Sequence, residues 1–478
     1  MTARYQELAQ QLARSLQEGL LKPGERLPSL RTFCQDQGTS LMTALAAYRH
    51  LEDRGLIEAV PRSGYRVLAA RPRPLTGPAI CRSRLTSFST RRNDLIAQVL
   101  LAMADPSLLP LGFGCPSPGL FPLASLRRLT AELLNSKKDL WVSYSPAPGP
   151  PELRRQIARR YQARGLQVGP EDVLVTSGAM EALSLSLRLL ADAGDLVAVE
   201  CPTFFGIVDA ARHAGAQVIE LPGDPDGGLD PARLASVCAR RSVRAAVLIP
   251  SFANPTGSLM DPQRRRAWME VLQRHGVALV EDDIYGELAW DGHKIEPMCA
   301  LQRGDGLPNL LVGSLSKTLM PGGRIGYVVA RSPWIERLTD LKNTSTLFNV
   351  TLSEHLAAEA LASGLYDRHL RRLIPGIQAG VSQLRSCIAR HFPPGTRVSD
   401  PRGGFLLWVE LPQGSDGLEL FRAALERGIS LAPGCLFSLG HGLERFIRLN
   451  GAASGDFDPA MAVLGQLAGA CRGSVSLP

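Results

Sequence analysis

The sequence predicts a multi-domain chain in which a small winged helix-turn-helix precedes a larger α/β body with a mostly parallel sheet. Three observations predict this arrangement. The 478 residues exceed what one ordinary hydrophobic core organises. Residues 1–92 carry 15 Lys and Arg against 7 Asp and Glu, whereas the rest of the chain carries 38 of each. From about residue 93 onward, short Val, Leu and Ile runs alternate with helical segments.

The overall composition excludes several other classes of protein. Hydrophobic residues make up 45% and charged residues 21%, unlike disordered or collagen-like chains. No apolar run approaches the ~18 residues that a membrane span needs, and the first residues do not resemble a signal peptide. Nine dispersed cysteines without a CxxC pair are typical of reduced thiols, and the eight histidines form no metal-binding motif. We therefore expect a cytoplasmic protein with no metal and no membrane partner.

The first 70 residues carry the pattern of the winged helix-turn-helix. Leucines at every fourth position give residues 4–20 one apolar stripe, and a Lys-Pro-Gly break follows. Ser29 is placed to cap a short second helix, and Ser40 to cap a third. Two short strands, 56–60 and 65–68, flank a turn and complete the wing. In this layout the third helix enters the major groove of DNA, which is wide enough for one helix.

The excess of positive charge in these residues favours a nucleic-acid-binding surface. A merely soluble basic face is the alternative, and charge alone does not decide between the two. The candidate contacts to double-stranded DNA lie just before and on the second helix, at the cap and on the body of the third helix, and on the wing: Arg26, Arg31, Ser40, Thr43, Arg49, Arg62 and Arg66.

This part of the chain resembles the GntR family of DNA-binding domains over residues 4–68. The resemblance rests on LPSLR at 27–31 and AYRHLEDRGLI at 47–57. It implies that Arg31 and the start of the third helix touch DNA while the wing lies along the groove. Family members usually carry an arginine just after the turn serine, and here Leu41 stands in its place.

Residues 71–92 are predicted to form a linker. Three prolines stiffen this stretch, six arginines extend it by mutual repulsion, and it contains no acidic residue. We expect no strand here. The linker joins the domain at 1–70 to a body that occupies 93–478.

In the body, a group of polar residues follows each predicted strand. The apolar runs that predict buried strands are 172–176, 196–199, 245–249, 277–280 and 311–314. Ligands of such sheets bind beyond the carboxyl ends of the strands, so these polar groups share one edge. They are Ser177, Gly178 and Ala179 at a helix start, Asn254 in NPTG, Asp282 and Tyr285 in DDIY, and Ser314, Ser316, Lys317 and Arg324 after the last run.

Lys317 differs in its surroundings from the other five lysines of the chain. It alone lies among serines and glycines just past a buried strand. Desolvation there lowers the pKa of an amine and makes it a nucleophile toward an aldehyde. A lysine that merely caps a loop is the weaker alternative, because the other strand-end groups would then be left unexplained.

Together these groups fit pyridoxal 5′-phosphate (PLP). This cofactor needs a Schiff-base lysine, a carboxylate at its pyridine nitrogen, a phosphate cradle and an aromatic ring against its face. Asp282 would hold the ring nitrogen protonated, and Tyr285 and Asn254 would hydrogen-bond the phenolic oxygen. Phe204 would stack on the ring. The phosphate cradle would comprise Ser177, Gly178, Ala179, Ser314, Ser316 and Arg324.

The same segments resemble class I aminotransferases of fold type I over roughly residues 110–470. The resemblance rests on three motifs: NPTG at 254–257, DDIY at 282–285 and SLSKT at 314–318. It implies a PLP-dependent transferase fold, and it gives Lys317, Asp282 and Tyr285 the catalytic roles. The implied large domain spans about 120–345, and a smaller α+β domain combines 346–478 with 93–119.

The resemblance adds three further positions. Tyr144 matches the tyrosine that reaches the phosphate of the neighbouring subunit. Arg448 matches the arginine that binds a substrate α-carboxylate, a task that suits a bidentate guanidinium; a structural ion pair is the alternative for this residue. Gly114 lies in a glycine-proline segment near the substrate, and Cys115 beside it is then a small packing residue rather than a nucleophile.

A GntR-like domain joined to an aminotransferase-like body is the arrangement of MocR-type transcriptional regulators, which the whole chain resembles. The resemblance implies a head-to-tail homodimer whose two N-terminal domains bind a pair of DNA half-sites. The expected effector is an amino acid or amine that forms an external aldimine with the cofactor and releases Lys317. The alternative is a catalytically active aminotransferase with a DNA-binding arm, because all the usual catalytic groups are present. A body that binds no cofactor and serves only dimerisation is a weaker third possibility.

Overall fold

The computed structural model describes residues 4–17, 21, 24–60, 64–68, 77, 90–224, 228–302 and 306–470. The chain divides into two compact units, Met1–Pro74 and Leu75–Pro478. Each unit has a hydrophobic core of its own. Most of the predicted linker lies outside the described residues, as does Arg62. No helix in the described part of the chain is long and apolar enough to cross a membrane.

The first unit consists of three helices followed by a two-stranded wing. Its elements are α1 (Arg4–Gln17), α2 (Leu30–Gln37), α3 (Leu41–Asp53), β1 (Ile57–Val60) and β2 (Gly64–Val67). The two strands pair antiparallel, with Ile57 opposite Val67. Ser29 and Ser40 are the N-caps of α2 and α3, and each hydroxyl accepts the N–H three residues further on at 3.2 Å. The predicted winged helix-turn-helix is confirmed, including both capping serines.

Tyr48 lies at the centre of the first unit's core. Its buried ring makes edge-to-face contacts with Phe33 and Tyr65, at centroid distances of 5.2 Å and 5.1 Å. Its hydroxyl donates to the carbonyl of Pro28 at 2.9 Å, so the buried O–H is not left without a partner. Because Phe33 is on α2, Tyr48 on α3 and Tyr65 on β2, this one side chain holds the helix-turn-helix against the wing.

The second unit alternates helices and strands. Its helices are α4 (Thr90–Ala104), α5 (Leu123–Ser136), α6 (Pro151–Gln162), α7 (Ala179–Leu190), α8 (Phe205–His213), α9 (Pro231–Cys238), α10 (Pro262–His275), α11 (Trp334–Asn343), α12 (Thr351–Ala362), α13 (Leu365–His391), α14 (Gly417–Leu425) and α15 (Phe457–Ala470). Its strands are β3 (Leu109–Pro110), β4 (Val173–Thr176), β5 (Leu196–Cys201), β6 (Gln217–Asp224), β7 (Gly228–Leu229), β8 (Val243–Leu248), β9 (Ala278–Asp282), β10 (Asn309–Ser314), β11 (Gly326–Val329), β12 (Arg397–Val398), β13 (Leu406–Glu410), β14 (Ile429–Ser430), β15 (Ala432–Pro433) and β16 (Phe446–Asn450). The five apolar runs identified in the sequence correspond to β4, β5, β8, β9 and β10.

An eight-stranded sheet in the order β4-β11-β10-β9-β8-β5-β6-β7 forms the centre of this unit. The pairs from β10 to β6 are parallel, as the continuous apolar runs predict. Strand β11 runs antiparallel to both of its neighbours. Its first residue, Gly326, therefore pairs with the last residues of β4 and β10, Thr176 and Ser314. The start of β11 thus lies at the same edge of the sheet as the ends of the parallel strands.

A second, four-stranded sheet in the order β12-β13-β16-β15 is antiparallel. Trp408 of β13 stacks on Phe446 of β16, with the ring centroids 5.2 Å apart. Strand β3 pairs with β14, which brings the segment ahead of the large sheet against the C-terminal part of the chain. The same β16 carries Arg448, whose side chain is buried.

Candidate cofactor and ligand site

A cavity of about 190 Å³ lies at the carboxyl ends of the parallel strands. Its lining residues are Leu100, Phe113, Gly114, Ala179, Met180, Leu183, Phe204, Phe205, Asn254, Asp282, Ile284, Tyr285, Ser314, Ser316, Lys317, Arg324 and Arg448. The structure therefore brings together 11 of the 14 residues that the sequence places at this site. A larger groove, of about 800 Å³, contains none of them.

The electrostatic surroundings of Lys317 favour a neutral amine. The residue follows β10 and is partly buried. Burial lowers the pKa of its ammonium group; the nearby Cys115 thiol opposes this shift, and the cation of Arg448 adds to it. A neutral amine is the nucleophilic form, so the site suits condensation with a carbonyl group.

Asp282 ends β9 and is 2% exposed. Its carboxylate accepts the N–H of Ile284 at 3.2 Å. Burial raises the pKa of Asp282 to about 7, although this hydrogen bond acts in the opposite direction. None of the ion pairs between described residues includes Asp282. A buried carboxylate without a cationic partner is suited to a ligand that brings a positive charge, such as a protonated ring nitrogen.

The raised pKa of Asp282 predicts a pH dependence of stability in the cofactor-free protein. The folded-state pKa of about 7 lies above the unfolded value of ~3.9, so the stability that Asp282 contributes declines as the pH rises between them. We expect Asp282→Asn to remove up to ~1.4 kcal/mol per pH unit from the slope of the unfolding free energy. Denaturant titrations between pH 5 and 7 measure this slope.

The slope reports on Asp282 together with a neighbouring carboxyl. Burial also raises the pKa of Glu200 to about 7, and the charge of Asp282 adds to that shift, so Asp282→Asn changes the titration of both groups. Asp340→Asn, which changes an exposed acid on α11, should retain the wild-type slope. If Asp282→Asn has the wild-type slope as well, the carboxyl of Asp282 does not titrate in this range.

A cradle for an anion forms where β4, β10 and β11 meet. Gly178 precedes α7 with a φ of +83°, and a Cβ at this position would collide with the guanidinium of Arg324. The Ser314 hydroxyl donates to Ser316 Oγ at 3.0 Å and lies 2.9 Å from the carbonyl oxygen of Ile325. A guanidinium, two hydroxyls and the N-terminus of a helix therefore converge, as binding of a phosphate dianion requires.

A buried ion pair supports this cradle and was not predicted from the sequence. The ammonium of Lys342 donates to Glu181 Oε1 and to Asn349 Oδ1, at 2.9 Å in both cases. Glu181 Oε2 in turn accepts the N–H of Ser177 at 2.5 Å. The pair thus fixes the turn between β4 and α7. Glu181 could have been noticed as an acid in the first turn of a helix, but no sequence pattern connects it with Lys342.

Arg448 is 2% exposed and has no carboxylate partner among the described residues. Its Nη1 donates to Asn254 Oδ1 at 2.9 Å and its Nη2 to the carbonyl of Gly112 at 2.6 Å. Its Nε is buried without a hydrogen-bond partner. Burial lowers the pKa of Arg448 to about 10. The alternative of a structural ion pair therefore has no partner in the described chain, and a buried cation with an unused donor suits an anionic ligand.

The aromatic residues predicted for the site occupy different places. Tyr285 is buried, forms a hydrogen bond with Asn254, and has its pKa raised by burial. Phe204 lines the cavity and packs on Phe205, at a centroid distance of 4.7 Å. Tyr144 lies outside the cavity of its own chain, stacked on Phe348 at 4.5 Å.

The candidate DNA-contacting side chains of the first unit differ in how exposed they are. Arg31 is exposed at the start of α2, and Arg49 is exposed on α3. The hydroxyls of Ser40 and Thr43 lie 2.8 Å apart within the cap of α3. Arg66 on β2 is partly buried. The first turn of α3 also exposes Leu41, which stands where the GntR family usually has an arginine, and Met42, so this end of the helix has an apolar surface.

Comparison with known proteins assigns both parts of the chain. The model of the gntR family of bacterial regulatory proteins matches residues 4–67, and that of aminotransferase class I and II matches residues 117–458. The uncharacterized HTH-type transcriptional regulator YdcR of Escherichia coli is 36% identical, over 94% of this chain and 95% of its own. The chain belongs to the MocR-like HTH-type regulators. The probable rhizopine catabolism regulatory protein MocR of Rhizobium meliloti is itself 27% identical, over 90% of this chain and 86% of its own.

The body of this MocR-like chain is also similar to solved aminotransferases. LysN, the alpha-aminoadipate aminotransferase of Thermus thermophilus, is 30% identical with a TM-score of 0.72, and the match covers 80% of this chain and 97% of LysN. That structure is a complex with N-(5'-phosphopyridoxyl)-L-leucine. The fold class predicted from the sequence, a winged helix-turn-helix followed by an aminotransferase fold, is confirmed.

Proposed function

We propose that this chain is a PLP-dependent transcriptional regulator. It binds double-stranded DNA through its N-terminal unit and senses an amino acid or amine in the cavity of its second unit. The observation that carries the proposal is the presence, on one chain, of a capped helix-turn-helix and of a cavity in which Lys317, Asp282 and Arg448 converge. Its proposed location is the cytoplasm, because bacterial DNA lies there.

Pyridoxal 5′-phosphate fits the residues of the cavity. Asp282 is a buried carboxylate in need of a positive partner, which the ring nitrogen provides. Arg324, Ser314 and Ser316 would hold the phosphate, and Phe204 would lie against the ring. Bound there, the cofactor supplies an electrophilic carbon and an electron sink.

The side chains of the site would bind an effector at two points. Lys317 would hold the cofactor, and its amine would be freed when the amino group of an effector takes its place. Arg448 binds the carboxylate of an amino acid effector. Lys317 follows β10 of the large sheet, whereas Arg448 belongs to β16 of the small one. An effector that binds both residues would therefore connect the two sheets. We expect this connection to be transmitted to the DNA-binding units.

We further propose a head-to-tail homodimer in which each body lends Tyr144 to the phosphate site of its partner. Tyr144 is 78% exposed and lies outside its own cavity. Trp141 and Val142 beside it are exposed, as are Leu347 and Val350 of the segment on which it stacks. Exposed apolar side chains concentrated in this way favour a protein interface. Such a dimer presents two DNA-binding units to two half-sites.

The competing function is a working aminotransferase, which the full set of catalytic groups supports. Purified protein is mixed with amino donors and 2-oxoglutarate, product is measured over many turnovers, and binding to genomic DNA fragments is measured in parallel. A regulator should respond spectroscopically to its effector, bind specific DNA fragments and form little product. Sustained turnover without specific DNA binding would identify an enzyme and contradict the proposal.

We predict that Arg31→Ala weakens DNA binding about tenfold and makes its salt dependence shallower, since an exposed arginine at the start of α2 can neutralise a phosphate. Fluorescence anisotropy at several salt concentrations measures both quantities. Arg127→Ala, which removes an exposed arginine of the second unit, is the matched control and should bind as the wild type does. Unchanged affinity of Arg31→Ala at every salt concentration would remove Arg31 from the DNA contacts.

A further inference from the structure

We propose that the effector is an α-amino acid with an apolar side chain. This inference rests on the proposed function of the cavity and follows from the chemistry of its walls. Seven of the eight polar residues that line the cavity hold the cofactor in the proposed arrangement, and the eighth is Arg448. Among the described lining residues, no polar side chain is then left to bind a polar group on the effector's side chain.

Arg448 is the reason for expecting a carboxylate on the effector. A ligand without an anionic group would leave this buried guanidinium unpaired in the complex as well. Gly114 keeps one side of the guanidinium accessible, because even a Cβ at this position would lie 3.6 Å from both Nη atoms. A carboxylate can therefore approach Arg448 from the cavity.

The position of Asn254 places the carboxylate next to the amino group. Asn254 accepts a hydrogen bond from Arg448 and, in the proposed arrangement, also binds the phenolic oxygen of the cofactor. That oxygen is adjacent to the carbon at which the effector's amine is bound. A single side chain thus separates Arg448 from the reacting carbon, which favours an α-amino acid over an amine whose carboxylate lies several carbons away.

The rest of the cavity wall is apolar. Apart from Gly114, Ala179 and the ring-stacking Phe204, it is formed by Leu100, Phe113, Met180, Leu183, Phe205 and Ile284. Leu100, Phe113 and Met180 are 49%, 39% and 40% exposed, so an apolar ligand side chain would cover surface that now faces water. A carboxylate or ammonium in the same place would lose its hydration and gain no partner.

Titration of the holo-protein, followed by its absorption spectrum, tests the proposal. Leucine, methionine and phenylalanine should reach half-saturation at concentrations at least ~10-fold lower than glutamate, lysine or 4-aminobutyrate. Isopentylamine, which is leucine without its carboxylate, should also require at least ~10-fold more than leucine. Tighter binding of any of the polar ligands or of the amine would overturn the inference, as would no response to apolar amino acids from protein that carries the cofactor.

A pair of neighbouring leucines on α4 provides a matched test of the wall. Leu100→Arg should lower the preference for leucine over glutamate by ~10-fold or more, because it places a cation among the apolar side chains. Leu101 is 73% exposed and does not line the cavity, so Leu101→Arg should keep the wild-type preference. Equal preferences in the two variants would show that Leu100 does not face the ligand and would contradict the proposed wall.

These experiments separate the failure of this inference from the failure of the proposed function. If the purified protein neither carries nor takes up PLP, the proposed function is wrong. If it carries PLP and its spectrum responds at the lowest concentration to a polar amino acid or to an amine, the proposed function is retained and the apolar effector class is wrong.

Discussion

Lys317→Ala is expected to abolish covalent attachment of PLP and the near-visible absorption that attachment produces. No other lysine lines the cavity among the described residues, and the pKa of Lys317 is lowered by burial, as a nucleophilic amine requires. The fold should persist, because alanine removes a desolvated amine and leaves the buried strand β10 intact. Borohydride treatment followed by peptide mass spectrometry locates the adduct, and circular dichroism monitors the fold.

The control for this experiment is Lys138→Ala, which changes an exposed lysine outside the site and should leave the adduct in place. An adduct on any residue other than Lys317 in the wild type would contradict the assignment. Retention of the absorption by Lys317→Ala would do the same.

Arg448→Met is expected to weaken the response to leucine by ~30- to 1000-fold, equivalent to about 2–4 kcal/mol. The buried guanidinium, with its unused Nε, is the proposed anion-binding group of the cavity, and methionine fills a similar volume without charge. Isopentylamine has no carboxylate, so its half-saturating concentration should change little. The ratio of the two concentrations therefore reports on the carboxylate contact itself, since any general disturbance of the cavity affects both ligands.

The same titrations reveal whether the mutation acts indirectly. Arg448 also hydrogen-bonds Asn254, so the cofactor spectrum before addition of ligand shows whether that neighbour has moved. An equal loss for leucine and isopentylamine, with an unchanged starting spectrum, would contradict carboxylate binding by Arg448.

Local chemistry explains why the first unit could be predicted closely from the sequence. Ser29 and Ser40 each lie three residues ahead of the N–H that they bind, so the caps can be recognised in a short window. The strands β4, β5, β8, β9 and β10 were likewise visible as apolar runs, because a parallel sheet buries both faces of its strands.

Contacts between distant parts of the chain could not be predicted from the sequence in this way. A run of apolar residues does not reveal strand order, so the insertion of antiparallel β11 between β4 and β10 could not be read from it. The Glu181–Lys342 pair joins two helices far apart in sequence. The apolar wall residues Leu100, Phe113 and Met180 belong to no motif, and only the folded chain brings them to one cavity. The resemblance supplied Tyr144 and Arg448, which periodicity alone could not identify.

The reversed direction of β11 affects when a newly made chain can acquire its cofactor. The proposed phosphate cradle combines the end of β4, the end of β10 and the start of β11. A nascent chain therefore cannot complete the cradle before residue 326 has been added and β11 has paired with β4 and β10. A cofactor that binds only the completed cradle stabilises the folded chain relative to the unfolded one, by an amount that grows with the cofactor concentration.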